Sequence, residues 1–217
     1  DKHGLGYYSE STDSWTTYTT STVGSAGNFP ASKGYEILSS SSGTVAFTGT
    51  LKTADVSSSL EKTDADHAWN LLGNPYTSAI GAMEDASSAE DLLTVNAASL
   101  DPSHAGLYLW DPDASGDYLI INNSGGTPTG TLSQNYIQAG QGFFVRANSD
   151  GANFSITRAM QAHQSTVAFK SGTTPWPTIN LIAESSKDKS KTQITFDSRM
   201  TTGLDVTYDA GTFKKNA

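Results

Sequence analysis

Apolar and polar positions alternate with a period of two along most of the chain. That is the pattern of strands whose successive side chains point to opposite faces of a sheet. In "GTVAFTGTL" (43–51), Val45, Phe47 and Leu51 stand against small polar residues. "LYLWD" and "YLII" read as two strands around the turn "DPDASGD". "GFFVRA" and "NFSITRAM" flank "NSDG", whose glycine predicts a hairpin. "TINLIAES" and "TQITFDS" predict another around "SKDKSK", and "TGLDVTYDAGTF" supplies a further alternating piece. One stretch near 87–95 reads as a short helix. There Ser87 or Ser88 would cap "AEDLLTVN", with Glu90 and Asp91 in the first turn, where the helix dipole favours acids. The expected class is all-β: a jelly-roll-like β-sandwich, internally duplicated, with at most that one helix.

The duplication is read from two aligned stretches, about 5–60 and 105–160. The first has Tyr7 and Tyr8, then Trp15 and Tyr18, then "KGYEIL"; the second has Tyr108 and Trp110, then Tyr118, then "QGFFVRA". Both carry an aromatic pair, a later aromatic, a Lys/Gln-Gly-aromatic step and a return strand. Residues 1–168 are expected to form the main unit and the proline-containing 169–178 a linker, with Trp176 between Pro175 and Pro177. Residues 179–217 would start a second, incomplete β unit. "HAWNLLGNPYTSAI" (67–80) is read as a buried corner: Gly73-Asn74-Pro75 ends a strand sharply, and the Asn74 side chain bonds backbone across the turn.

Composition narrows the partners. Charged residues make up 16% of the chain, below the usual level of about 25%, and the net charge is −9 with a pI near 4.7. An acidic, sparsely charged surface disfavours nucleic acid and anionic membranes, both of which want a basic face. No apolar run approaches the roughly 20 residues of a membrane-spanning helix. With no cysteines, disulfides, zinc-thiolate sites and thiol nucleophiles are excluded. About a quarter of the residues are Ser or Thr, which with zero cysteines suits a bacterial extracellular protein. "DKHGLGYYSE" lacks the features of a signal peptide, and the chain reads as an excised or processed segment.

"WNLLGNPYTSAI", "LYLWD", "QAGQGFFVRA", "FSITRAM" and "ITFDSRMTTGLDVTYDAGTF" occur in that order. Together they resemble the β-rich region of large secreted or cell-surface proteins of Bacteroidetes exported by the type IX secretion system. The resemblance covers nearly the whole chain. It implies an extracellular or cell-surface location beside enzyme or adhesion modules, and it brings no catalytic residues. The chain departs from the usual form at Thr77, where that family has proline, and no stretch of it resembles the sorting domain that the resemblance leads one to expect further on.

Three kinds of chemistry are candidates. Asp111, Asp113, Ser115 and Asp117 resemble the opening half of a calcium loop, with Gly116 for the bend, but the twelfth position is Asn122 instead of a bidentate carboxylate. The same residues suit an ordinary hairpin turn, the favoured reading, and no other cofactor is expected. Trp15, Tyr18, Trp110, Tyr118 and Trp176 lie beside polar turns and are candidates for stacking on the apolar face of a sugar, although aromatics on alternating strands commonly fill a core. Trp69 and Phe143 are expected in the core. His67 follows Asp64 and Asp66, which could orient its ring, but there is no metal-binding spacing, nucleophile elbow or phosphate loop. The expected role is therefore non-catalytic: a structural or accessory module of a multidomain protein. The alternatives are a carbohydrate-binding module, with polysaccharide as partner, and an adhesin or filament subunit joining neighbouring domains through strand edges.

Overall fold

The computed structural model describes the chain outside residues 1–2, 20, 40–47, 112–116, 125–134, 164–177, 185–188, 197–199, 202, 208 and 211–217. The strands, in chain order, are β1 (His3–Ser9), β2 (Ser14–Tyr18), β3 (Glu36–Ser39), β4 (Val56–Ser59), β5 (Trp69–Gly73) and β6 (Ala79–Gly81). After the helix α1 (Leu92–Asn96) come β7 (Leu107–Asp111), β8 (Asp117–Ile121), β9 (Tyr136–Ile137), β10 (Gly142–Arg146), β11 (Asn153–Ile156) and β12 (Gln161–Ala162). β13 (Thr178–Glu184) and β14 (Lys189–Thr195) follow. Among the described residues all the ladders are antiparallel and one short α-helix is present, so the fold is all-β and sandwich-like.

The central layer is the sheet β5-β10-β7-β8. Its strands alternate between two apolar faces. Leu72, Leu107, Leu109, Leu119, Ile121, Phe143 and Val145 turn inward to the main core. There they meet Leu60, Phe154 and Ile156 from the β4–β11 region, Ile80 and Ile137 from β6 and β9, and Leu92 and Leu93 from α1. The other face carries Trp69, Tyr108 and Phe144, which form a second buried cluster with Tyr8, Leu71, Tyr118 and Ile120. Tyr8 belongs to the three-stranded sheet β2-β1-β3, which therefore covers this face. Two apolar faces on one sheet require a layer on each side, because neither can be left in water.

Close approach of the covering sheet depends on Gly34. Its amide donates to the Leu71 carbonyl at 3.0 Å, and a Cβ added there would sit 2.6 Å from both Leu71 Cγ and the Leu72 carbonyl oxygen. Strand orders β2-β1-β3 and β8-β7-β10 share connectivity and register. Tyr8 pairs with Trp15 as Trp110 pairs with Tyr118, and Gly6 pairs with Glu36 as Tyr108 pairs with Phe144.

At the 73–75 corner Asn74 is buried and Gly73 and Pro75 are half-buried, and the Asn74 side chain bonds backbone across the turn as expected. Asn74 donates to the carbonyls of Ser78 (2.8 Å), Ile137 (3.2 Å) and Gln138 (3.1 Å), and its Oδ1 accepts from the Tyr76 amide at 2.9 Å. Tyr76, also buried, donates its hydroxyl to the Ile156 carbonyl at 2.8 Å. The β7–β8 and β13–β14 pairs likewise follow the predicted strands.

Four local expectations fail. The strand read over 43–51 is absent where the chain is described: Thr48–Leu51 is irregular, and pairing begins at Val56. "NSDG" does not close a hairpin. β10 pairs with β5 and β7 while β11 pairs with β4, so the turn carries the chain from one sheet to another. The helix starts later than predicted and is capped by Asp91, whose carboxylate accepts from the Thr94 amide at 2.8 Å. Ser87 and Glu90 are drawn off by tertiary partners, the Tyr136 and Thr157 hydroxyls. Residues 203–207 form turns in place of a strand, and they dock on the sandwich. Asn123 donates its amide to the Thr207 carbonyl at 2.8 Å and its Nδ2 to the Thr207 hydroxyl at 3.0 Å. The 169–178 linker lies outside the described residues up to 177. On β13 and β14, Ile179 and Leu181 alternate onto one face with Ile194 opposite Ile179, all three exposed.

Candidate functional site

The aromatic residues on the outer side of the central sheet form one connected chain of rings. Trp15 meets Phe144 edge-to-face at 6.1 Å, Phe144 meets Tyr118 at 5.9 Å, and Tyr118 meets Trp110 at 5.3 Å. Tyr8 braces the Trp15 end, 5.8 Å from that indole and 5.1 Å from Phe144. T-shaped contacts such as these suit the ring quadrupoles and fix the rings against one another. Phe144, at 4% exposure, anchors the strip, while its two ends stay open: Trp15 is 41% exposed and Trp110 47%. A strip with a buried centre and two open indoles offers flat apolar surface at two places without having to move.

The backbone explains why these residues meet. Trp15 pairs with Tyr8 across β1–β2, and Trp110 pairs with Tyr118 across β7–β8, so each pair shares a face. Tyr18 is separated from them. Three residues from Trp15 on a period-two strand, it stands on the opposite face of its sheet, where its ring lies 5.8 Å from Tyr7. Lys33 Nζ sits 4.9 Å above that Tyr7 ring. The five sugar-stacking candidates therefore do not form one site: Trp15, Tyr118 and Trp110 are brought together, Tyr18 faces away, and Trp176 lies outside the described residues. Phe144 was missed by the sequence reading, although the inward placing of Phe143 by alternation turns its neighbour outward.

Of the calcium candidates, Asp113 and Ser115 lie outside the described residues. Asp111 and Asp117 are paired across the end of the β7–β8 ladder. Among the described residues no group of three or more His, Asp and Glu converges as a metal site.

Two histidine clusters are resolved. His67 Nδ1 lies 2.9 Å from Asp64 Oδ1, which also accepts the His67 amide at 2.8 Å. This hydrogen bond raises the imidazole pKa above its ordinary value. Amide donation from His67, followed by the ring contact, holds Asp64 below the usual carboxylate value. The second cluster is Asp101, Ser103, His104 and Arg146. Asp101 accepts the Ser103 hydroxyl at 2.6 Å and faces Arg146 Nε at 3.7 Å. Burial alone would raise the Asp101 pKa, but the Ser103 hydrogen bonds and the Arg146 and His104 charges outweigh it and leave it lowered. The Ser103 hydroxyl also lies 2.9 Å from His104 Nδ1, so the serine stands between carboxylate and imidazole, unlike a relay in which histidine stands between the other two. Arg146 also reaches the Ala65 carbonyl and lies 5.8 Å from the Trp69 ring. The cluster thus ties the 61–68 loop to the sheet beneath the strip.

Tyr8 has its phenol pKa pushed far above the ordinary value, by burial first and by the Asp13 carboxylate that accepts its hydrogen second. It remains a neutral donor at any physiological pH, and its ring is held at both ends.

The model of a domain of unknown function, DUF8693, matches residues 6–217. The chain belongs to the DUF8693 family. That match spans the ring strip, both apolar clusters and the β13–β14 hairpin. No curated protein and no solved structure matches this DUF8693 member.

Proposed function

We propose that this DUF8693 member is a non-catalytic accessory module of a secreted or surface-attached multidomain bacterial protein, and that it binds polysaccharide along the Trp15–Tyr118–Trp110 strip. The observation that carries the reading is the exposure of Trp15 and Trp110 at the two ends of one braced ring chain. Leaving large indoles in water is unfavourable, and burying each against the apolar C–H face of a pyranose recovers that cost. Supporting it are the net charge of −9, which suits neutral glycans over polyanions, and the resemblance to type IX-exported surface proteins of Bacteroidetes. The setting follows from that resemblance: extracellular and attached to further domains. The acidic, sparsely charged composition argues against nucleic acid and anionic membranes as partners.

Affinity electrophoresis against plant and algal polysaccharides tests the proposal. The expected result is retardation by at least one neutral polysaccharide, weakened about tenfold by Trp110→Ala, since a stacking loss near 1.4 kcal/mol is a factor of ten in Kd. Absence of retardation in every gel, or unchanged retardation of both Trp15→Ala and Trp110→Ala, would refute it.

A further inference from the structure

A cavity of about 230 Å³ opens where β1, β4 and β5 meet, walled by Tyr8, Glu10, Lys33, Ser59 and Trp69. Glu10 is the unusual member. It follows directly on β1 and is 3% exposed. Its carboxylate accepts the Thr63 amide at 2.8 Å on Oε1 and the Thr63 hydroxyl at 2.7 Å on Oε2. No cation lies within ion-pair distance of it among the described residues. A buried carboxylate without a counter-charge is costly to keep, and each of its oxygens retains a second lone pair. Glu10 lines a cavity whose aromatic walls are fixed: Tyr8 by Asp13 and Phe144, Trp69 by Tyr108 at 4.8 Å.

We infer that this cavity is a second binding subsite, holding a single neutral pyranose or the end of a glycan chain. Its volume lies below the roughly 300–1,000 Å³ of sites for drug-sized ligands, so one ring fits and an oligosaccharide does not. Glu10 accepts hydrogen bonds from ring hydroxyls, and Tyr8 and Trp69 supply apolar surface for the C–H face. Tyr8 joins the cavity to the open strip, contacting Trp15 and Phe144 while also lining the cavity. The choice of a sugar over a small amine therefore rests on reading the strip as a glycan site.

The test uses the ¹⁵N-labelled full chain and the methyl glycosides of glucose, galactose, mannose and xylose. The Trp69 indole N–H and the Thr63 amide report on the cavity, and the Trp15 and Trp110 indoles report on the strip. The expected result is a saturable shift of Trp69 and Thr63 with at least one glycoside. That binding should weaken tenfold or more in Glu10→Gln, which preserves shape and an acceptor for Thr63. Ser59→Phe, which fills the cavity from an exposed position on β4, should also weaken it and serves as the second variant if Glu10→Gln misfolds. Shifts confined to Trp15 and Trp110 would overturn the cavity proposal and leave the strip standing. Cavity shifts without any strip response to a polysaccharide would sustain the cavity and sink the strip. A Thr63 response to methylammonium alone, or undiminished binding in both variants, would also overturn it.

Discussion

Replacing Asn74 with alanine puts the 73–75 corner to a quantitative test. The side chain serves three carbonyls, those of Ser78, Ile137 and Gln138, and accepts from the buried Tyr76 amide at 2.9 Å. Alanine removes all four interactions. The carbonyls lose one partner each, while the Tyr76 N–H loses the acceptor that satisfies it inside the core. A stranded buried donor costs about 1–3 kcal/mol, and the carbonyl losses add about 1 kcal/mol, giving about 2–4 kcal/mol in total. With a urea m-value of about 2 kcal/mol per molar, the unfolding midpoint should fall by about 1–2 M, followed through tryptophan fluorescence. Asn74→Asp sharpens the test. It keeps an acceptor for Tyr76 but sets a carboxylate against three carbonyl oxygens, which raises its folded pKa above the unfolded value of about 3.9. The protonated acid can donate. Any stability at this position is therefore fullest below about pH 4 and is lost as pH rises through the folded pKa, the reverse of an ordinary aspartate. Asn74→Ala within about 0.5 kcal/mol of the parent, or Asn74→Asp equally stable relative to the parent at acid and neutral pH, would refute the reasoning.

Two further outcomes follow from the geometry. Gly34→Ala drives a Cβ to 2.6 Å from the Leu72 carbonyl, a backbone atom that cannot step aside, so it should cost about 1–3 kcal/mol. It should also speed hydrogen exchange in β1 and β3 more than in β7 and β8, and uniform protection across both sheets would count against the covering-layer account. The His67–Asp64 contact should contribute stability fully between the ordinary values of 3.8 and 6.5. It fades as pH rises through the elevated His67 pKa, and again as pH falls through the depressed Asp64 pKa. Proton NMR titration of His67 should give a midpoint that drops in Asp64→Asn, and an unmoved midpoint would show that the 2.9 Å contact does not form in solution.

The alternation of "LYLWD", "YLII" and "GFFVRA" was enough to put Phe143 in the core and to require β pairing in these segments, because strand geometry forces a period of two on any half-buried sheet. That Trp69 packs in a separate cluster on the other face was not legible. The Asn74 corner was equally legible, since Gly, Asn and Pro act through their own backbone and immediate neighbours. The helix cap was readable only in part: Asp91 won over Ser87 because Tyr136, 49 residues away, holds Ser87.

Sequence by itself determined the class of fold, the sparse acidic surface, the absence of thiol chemistry and which residues were aromatic enough to bind a sugar. Only the tertiary structure decided which of those aromatics meet. Trp15 joins Trp110 through Phe144 and Tyr118 because a second sheet lies across the central one. Tyr18 is excluded because it stands an odd number of residues from Trp15 on a period-two strand. Nothing in the local pattern marks Glu10; Thr63, 53 residues later, bonds both of its carboxylate oxygens where it lines a cavity. Local pattern carries information about faces. Which face meets which depends on loop closures between segments far apart in sequence, and the alternation of apolar residues is the same for every such arrangement.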